Sequence, residues 1–195
     1  VPMKFRKINQ LILLGGSRSL ADFALFAAAK LPHRLSVWSA PRHLEEKVPG
    51  YGRTLRQILR RAKLRHFESA DINREPALRK MVTPNTLGLA FGAAWTFGKP
   101  LVRKFAKGHL LDLMGIDLPR YRGGAHYTWQ ILHGNRKGRA NLQVILGGRE
   151  TFHRGPIIKR AEYELPAKAR KPIDYFDFMS AKELVFLAEF FREIA

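Results

Sequence analysis

Apolar runs and glycine breaks alternate along this chain, so that strands and helices are predicted in turn. Residues 11–17, LILLGGS, read as a buried strand that runs into a glycine turn. Ser17 or Ser19 then stands where a helix N-cap is needed, and the helix should extend to about Lys30. Pro32 breaks it, and LSVWS at 35–39 reads as a second strand. Strand, tight turn, helix and strand in this order predict a βαβ unit with parallel pairing and a right-handed crossover.

The rest of the chain continues the alternation. Residues 40–52 contain Pro41, Pro49, Gly50 and Gly52 and read as a loop. A helix follows with Leu55, Ile58, Leu59 and Ala62 on an inner face and Arg53, Arg56, Arg60 and Lys63 on an outer one. A short strand is expected at 64–68, and Asp71-Ile-Asn ahead of 75–81 predicts a capped helix. TLGLAFG at 86–92 is a third buried strand, small enough in side chain for a backbone or a ligand to come close. A short helix at 101–105 and a strand at 110–114 come next, and then a helix at 124–133 with Trp129 and Leu132 turned inward. Residues 141–146 and 156–165 form the later strands, and 166–172 a basic connector. An amphipathic helix at 183–192 presents Leu184, Leu187, Phe190 and Phe191. No repeat or linker interrupts this order. The expectation is a single α/β domain over residues 1–195.

Composition narrows the classes. At 195 residues one domain can bury a substantial core, and no run approaches the ~20 apolar residues of a membrane span. Lys4, Arg6 and Lys7 precede only a short apolar run, which does not read as a signal peptide, so a cytoplasmic location is expected. The chain has no cysteine, which removes disulfides, thiolate metal sites and Cys nucleophiles. His33, His43, His66, His109 and His133 show no ligand spacing, and no metal is assigned. Against 16 acidic residues stand 35 Lys and Arg, a net charge of +19. Such a field attracts phosphates and other polyanions, but nothing in the sequence makes it an RNA-binding motif. The first turn, GGSRSLA, lacks the G-x-G-x-x-G pattern, which argues against a dinucleotide-binding oxidoreductase.

Several segments then occur in a telling order. They are the glycine-turn βαβ unit, ADIN at 70–73, LGLAFG at 87–92, LPRYRGGAHYTWQILHG at 118–134, and GPI at 155–157. In this order they resemble the catalytic domain of the folate-dependent formyltransferases, and the LP-x-Y-R-G block carries most of the specificity. The likeness extends over most of the chain from about residue 10 and is nearest to short, sugar-formylating relatives. Within these 195 residues no counterpart of the tRNA-binding domain of methionyl-tRNA formyltransferases is expected. The resemblance implies a Rossmann-like three-layer formyltransferase fold with a mostly parallel central sheet. It also implies formyl-tetrahydrofolate as cofactor and a primary amine on a small anionic acceptor, such as a nucleotide-linked amino sugar.

In that family an Asn, a His two residues on, and a later Asp before the G-P turn carry the reaction. Counted back from Leu118-Pro119 and from Gly155-Pro156, those positions hold Asp112, Met114 and His153 here. A thioether donates no hydrogen bond to an oxyanion, and an ionised carboxylate repels one. Two readings follow. In one, Asp112 and His153 are an exchanged acid–base pair, with His153 as proton acceptor and His126 nearby. In the other, the scaffold is catalytically inactive, Met114 fills the old pocket, Asp112–His153 is a structural ion pair, and the protein binds RNA or another polyanion. By the same resemblance Phe91, Gly92 and Ala93 lie near the pterin, although Phe91 also fits a plain core role. Arg120 and Arg122 suit a phosphate clamp or the tying of loop carbonyls. Gly123 and Gly124 suit a tight turn or an anion at a helix start.

Overall fold

The computed structural model describes residues 5, 7–92, 94–123 and 125–195. Its first unit is β1 (Gln10–Gly15), α1 (Arg18–Lys30) and β2 (Arg34–Ser39), with β1 and β2 parallel. Ser17 caps α1, its hydroxyl oxygen accepting from the Leu20 N–H at 3.1 Å. Gly15 adopts a φ of +110°, and a Cβ there would lie 2.1 Å from the Phe91 carbonyl oxygen. The glycine turn is thus required by backbone packing.

Residues 40–52 depart from the expected loop. They form α2 (Pro41–Glu45), opened by Pro41 in its first turn, and the first strand of a small antiparallel pair, β3 (Lys47–Val48) with β4 (Arg53–Thr54). The basic helix α3 (Leu55–Arg61) begins with a reciprocal capping box between Thr54 and Gln57 and buries Leu55, Ile58 and Leu59 as expected. After β5 (His66–Glu68), the 71–81 segment divides into a 3-10 turn over Ile72–Arg74 and α4 (Pro76–Met81). Pro76 explains the division, since it disfavours helix at the residue before it.

The remaining elements are β6 (Thr86–Phe91), α5 (Lys99–Val102), β7 (Leu110–Met114), α6 (His126–Leu132), β8 (Lys137–Val144), β9 (Ile157–Glu164) and α7 (Pro172–Glu193). The sheet has seven strands in the order β5-β2-β1-β6-β7-β8-β9. All pairs from β5 to β7 are parallel, and β8 and β9 add an antiparallel edge.

Alternate residues of the central strands face two separate cores. Leu11, Leu13, Leu87 and Leu89 pack with α1, α3 and α7, whereas Ile12, Leu14, Ala90 and Leu110 pack with Leu78 and Leu101 of α4 and α5. Helices on both faces of a mostly parallel sheet make the three-layer α/β architecture. No helix among the described residues is long and apolar enough to cross a membrane.

Two helices differ from expectation in ways that matter for the site. In α6 the inward residues are Gln130 and, in part, Tyr127 and Ile131, while Trp129 and Leu132 are 54% and 67% exposed. A seven-residue helix presents its apolar positions all round, so its hydrophobicity did not reveal the buried face. Helix α7 starts at Pro172, not at 183. Its start is marked by Pro172 in the first turn and by Asp174, whose carboxylate accepts from the Arg170 and Lys171 N–H groups at 2.8 and 2.9 Å.

Candidate active site

Beyond the carboxyl ends of β1, β6 and β7, where open α/β sheets bind ligands, lies a cavity of about 550 Å3. Strand β7 delivers Asp112 and Met114 to it, and the 153–155 turn delivers His153. The loop between β7 and α6 is fastened from the far edge of the sheet. Asn141 Nδ2 donates to the Met114 and Ile116 carbonyls at 3.1 and 2.8 Å, and Arg160 donates to Asn141 Oδ1 at 2.7 Å and to the Leu118 carbonyl at 2.9 Å. Buried Asp117 is gripped by Arg139 and accepts from Asn135 Nδ2 at 3.1 Å. These ties hold the segment carrying Asp112 with little freedom.

Asp112 and His153 do come together, with His153 Nε2 3.9 Å from Asp112 Oδ2 and side chains 4% and 17% exposed for the histidine and the aspartate. That separation is too long for a hydrogen bond. Burial pushes the Asp112 carboxyl up to about 7. Burial also lowers His153, and the nearby Arg122 and His126 lower it further. Near neutral pH the imidazole is therefore uncharged and much of the carboxyl protonated. The two stand within ion-pair distance, a pair that is charged only when His153 is protonated, which burial opposes, and Asp112 does not hold His153 by a hydrogen bond. His153 also sits in the left-handed region at φ +53°, and its Nδ1 is buried without a partner. Backbone strain of this kind costs of order 1–3 kcal/mol and clusters at functional positions.

His126 lines the same cavity. Its Nδ1 lies 3.1 Å from the Gly123 carbonyl oxygen, which can only accept, so Nδ1 carries the hydrogen. Nε2 is left with its lone pair. Burial lowers the basicity of this ring, and the Gly123 bond partly offsets that.

Glu183 is a member that sequence reasoning missed. It reaches the cavity from the middle of α7 and accepts a short hydrogen bond from Ser19 on α1. Burial pushes its carboxyl up to about 7, with the Ser19 bond acting against the rise. Gly115 makes room for it, since a Cβ there would stand 2.1 Å from Glu183 Oε1. Tyr127 donates to the Gly115 carbonyl at 2.8 Å, and burial with Glu183 beside it raises the phenol well above its ordinary value. In the sequence Glu183 was only the first residue of the expected helix at 183–192. Its only available signal was a Glu within the i, i+4 row of Tyr175, Met179 and Leu187.

The other expected residues divide. Phe91 and Gly92 line the cavity, Phe91 also stacking on Phe23 in the core, and Gly123 lines it as well. Arg122 borders an adjoining groove, whereas Arg120 lies outside both spaces, 69% exposed and 4.0 Å from Asp117. Ala93 and Gly124 lie outside the described residues. Met114 lines the cavity without closing it.

No family model and no curated protein sequence matches this chain. Solved structures do. The glycinamide ribonucleotide transformylase 1 of Symbiobacterium toebii superposes at a TM-score of 0.69 and 18% identity, covering 94% of this chain and 85% of its own. The Helicobacter canadensis N-formyltransferase, solved with folinic acid and dTDP-3-aminofucose, gives 0.70 at 15% identity over 95% of this chain and 64% of that one. The formyltetrahydrofolate deformylase of Pseudomonas putida gives 0.66 at 16% identity, again over 94% and 64%. The chain thus spans less than two thirds of the latter two. The fold is that of the folate-dependent formyltransferases, as the LPRYRG block implied.

Proposed function

We propose that this chain transfers a formyl group from formyl-tetrahydrofolate to the primary amine of a small anionic acceptor, with nucleotide-linked amino sugars as one acceptor class. The observation that carries the reading is a single open cavity that pairs a carboxyl protonated near neutrality with two neutral imidazoles. The likeness to a fold solved with folinic acid and an amino-sugar nucleotide supports the choice of substrates.

The cavity suits the donor. Its apolar lining, which includes Phe91, Trp95, Phe97 and Leu146, suits a flat heteroaromatic ring, and Asp112 and both imidazoles line the same space. When bound, formyl-tetrahydrofolate supplies the formyl carbon as electrophile. As the acceptor nitrogen attacks that carbon, negative charge develops on the formyl oxygen. Asp112 in its acid form donates its O–H to that oxygen and so takes over the work of an amide donor. Only the ionised form of this carboxyl would repel the oxyanion. An acid kept neutral by its site is an established oxyanion donor. His126 Nε2 accepts the proton lost by the amine and, as the oxyanion collapses and the bond from the formyl carbon to the donor nitrogen breaks, returns it to that departing nitrogen. His153, a second neutral imidazole beside the acid, can take that proton in its place or exchange one with Asp112.

The test is turnover of formyl-tetrahydrofolate with a panel of phosphorylated and nucleotide-linked amines, using wild type, Asp112→Ala, His126→Ala and His153→Ala. Formylated product from wild type and a loss of ~100-fold or more in Asp112→Ala supports the scheme. Folded wild type that formylates no amine, or variants equal to it, would return the chain to the inactive-scaffold reading.

A further inference from the structure

A second opening adjoins the cavity. This groove of about 780 Å3 is bordered by Pro119 and Arg122 of the 118–122 loop, by Gln143 of β8, and by His153, Arg154 and Arg160. Gln143 and His153 line both spaces, so the two are continuous. Three guanidinium groups border the groove and no carboxylate does. Arg160 is fixed in place by its bonds to Asn141 and Leu118. Among the described residues, Arg122 and Arg154 have no carboxylate partner. Some arginines elsewhere on this surface are neutralised instead. Arg18, Arg42, Arg56, Arg74 and Arg139 each pair with an acid. Like charges gathered in a cleft without a counter-charge focus a positive potential there, and guanidinium forks match phosphate oxygens in geometry. At the junction of groove and cavity the buried His153 Nδ1 lacks a partner.

The geometry points to an anion subsite in which Arg122, Arg154 and Arg160 hold a phosphate or diphosphate group while the rest of the ligand passes His153 and Gln143 into the cavity. The identity of the ligand's far end rests on the formyl-transfer reading; anion binding itself does not. The arrangement has a consequence for His153. The groups facing it are Asp112 from β7, His126 from α6, Arg122 from the 118–122 loop and Arg154 from its own turn. Arg122 opposes protonation of His153, and an anion seated against Arg122 cancels that opposition. A bound phosphate therefore makes the adjacent imidazole a better proton acceptor, so that acceptor recognition and proton transfer are coupled.

The experiment is a titration of the full chain with pyrophosphate and, separately, with inorganic phosphate. It is followed by NMR of the histidine ring carbons at constant ionic strength, without folate or amine. Saturable binding is expected, with the His153 titration midpoint rising on saturation. Arg122→Ala and Arg154→Ala should each weaken binding by about tenfold, while Arg120→Ala, outside the groove, leaves it unchanged. A preference for pyrophosphate assigns a nucleotide-diphosphate ligand, and equal affinity a phosphomonoester. Backbone spectra verify that each variant is folded. Affinity that survives the double Arg122→Ala/Arg154→Ala substitution, or falls equally in Arg120→Ala, overturns the subsite and leaves only diffuse attraction to a +19 protein. Binding without any response at His153 overturns it as well. Because no turnover is measured, failure here and failure of formyl transfer are separate results.

Discussion

The cavity and the groove beside it share two residues and handle charge in opposite ways. In the cavity Asp112, Glu183, His126 and His153 are all driven by burial towards their uncharged forms. The groove is bordered by three guanidinium groups with no acid among them. The first arrangement suits proton transfer, because neutral acids and bases can donate and accept without an ion being stranded in apolar surroundings. The second suits holding a ligand whose own charge supplies what is missing. His153, lining both, is where binding and chemistry can influence one another.

This contrast can be broken most directly at Asp112. If its acid form is the oxyanion donor, Asp112→Ala lowers kcat/KM by roughly 100- to 1,000-fold. Asp112→Asn, which restores a permanent N–H donor, retains most of the rate. The pH profile sharpens the point. Activity should rise with pH as His126 and His153 lose protons, at pH values below the ordinary imidazole range. It should then fall above about 7 as Asp112 ionises. Asp112→Asn should lose that alkaline limb and keep the acid one. A limb that persists in the Asn variant belongs to another group and removes Asp112 from this role.

Gly115→Ala is expected to come next in size. A methyl group would collide with Glu183 Oε1 and displace a carboxyl that Ser19 holds, which should cost about 1–3 kcal/mol in stability and distort the wall beside Tyr127. Thermal unfolding would measure it; a melting temperature equal to wild type would show that Glu183 moves freely.

A smaller effect concerns stability alone. Asp112 and Glu183 have folded-state pKa values raised to about 7, so the folded protein binds protons more tightly than the unfolded chain. Their contribution is therefore fully present below the ordinary carboxyl range and is lost as pH rises through about 7. Glu183→Gln, which cannot ionise, should gain about 2 kcal/mol at pH 8 over its difference from wild type at pH 4. Denaturant unfolding at both pH values gives the comparison, and an equal difference at both would contradict the burial argument. Last, Arg120→Ala should change stability by less than about 0.5 kcal/mol, since its acid partner is loosely placed and its side chain exposed.

How much of this was legible beforehand depended on whether a residue's environment is local. The offsets from Leu118-Pro119 and Gly155-Pro156 located Asp112 and His153, and proximity to the glycine turn suggested His126. Their protonation was not legible, because burial is set by the whole fold and the charges beside His153 are those of Arg122 and His126, some thirty residues away in sequence. Trp129 and Leu132 were misplaced for a related reason: a short helix has no outward face until its neighbours are known. Glu183 was hidden by the regular pattern around it.

The sequence by itself determined the order of strands and helices, the three-layer α/β scaffold and the substitution of Asp112, Met114 and His153 at three telling positions. Those depend on backbone propensity, apolar spacing and chain offset, which act over a few residues. Only the tertiary structure decided that burial raises the Asp112 carboxyl, that Glu183 joins it, and that Arg122, Arg154 and Arg160 surround one groove. Desolvation and charge focusing are sums over everything nearby in space, and segments as distant as residues 19, 112 and 183 are neighbours only after the chain has folded.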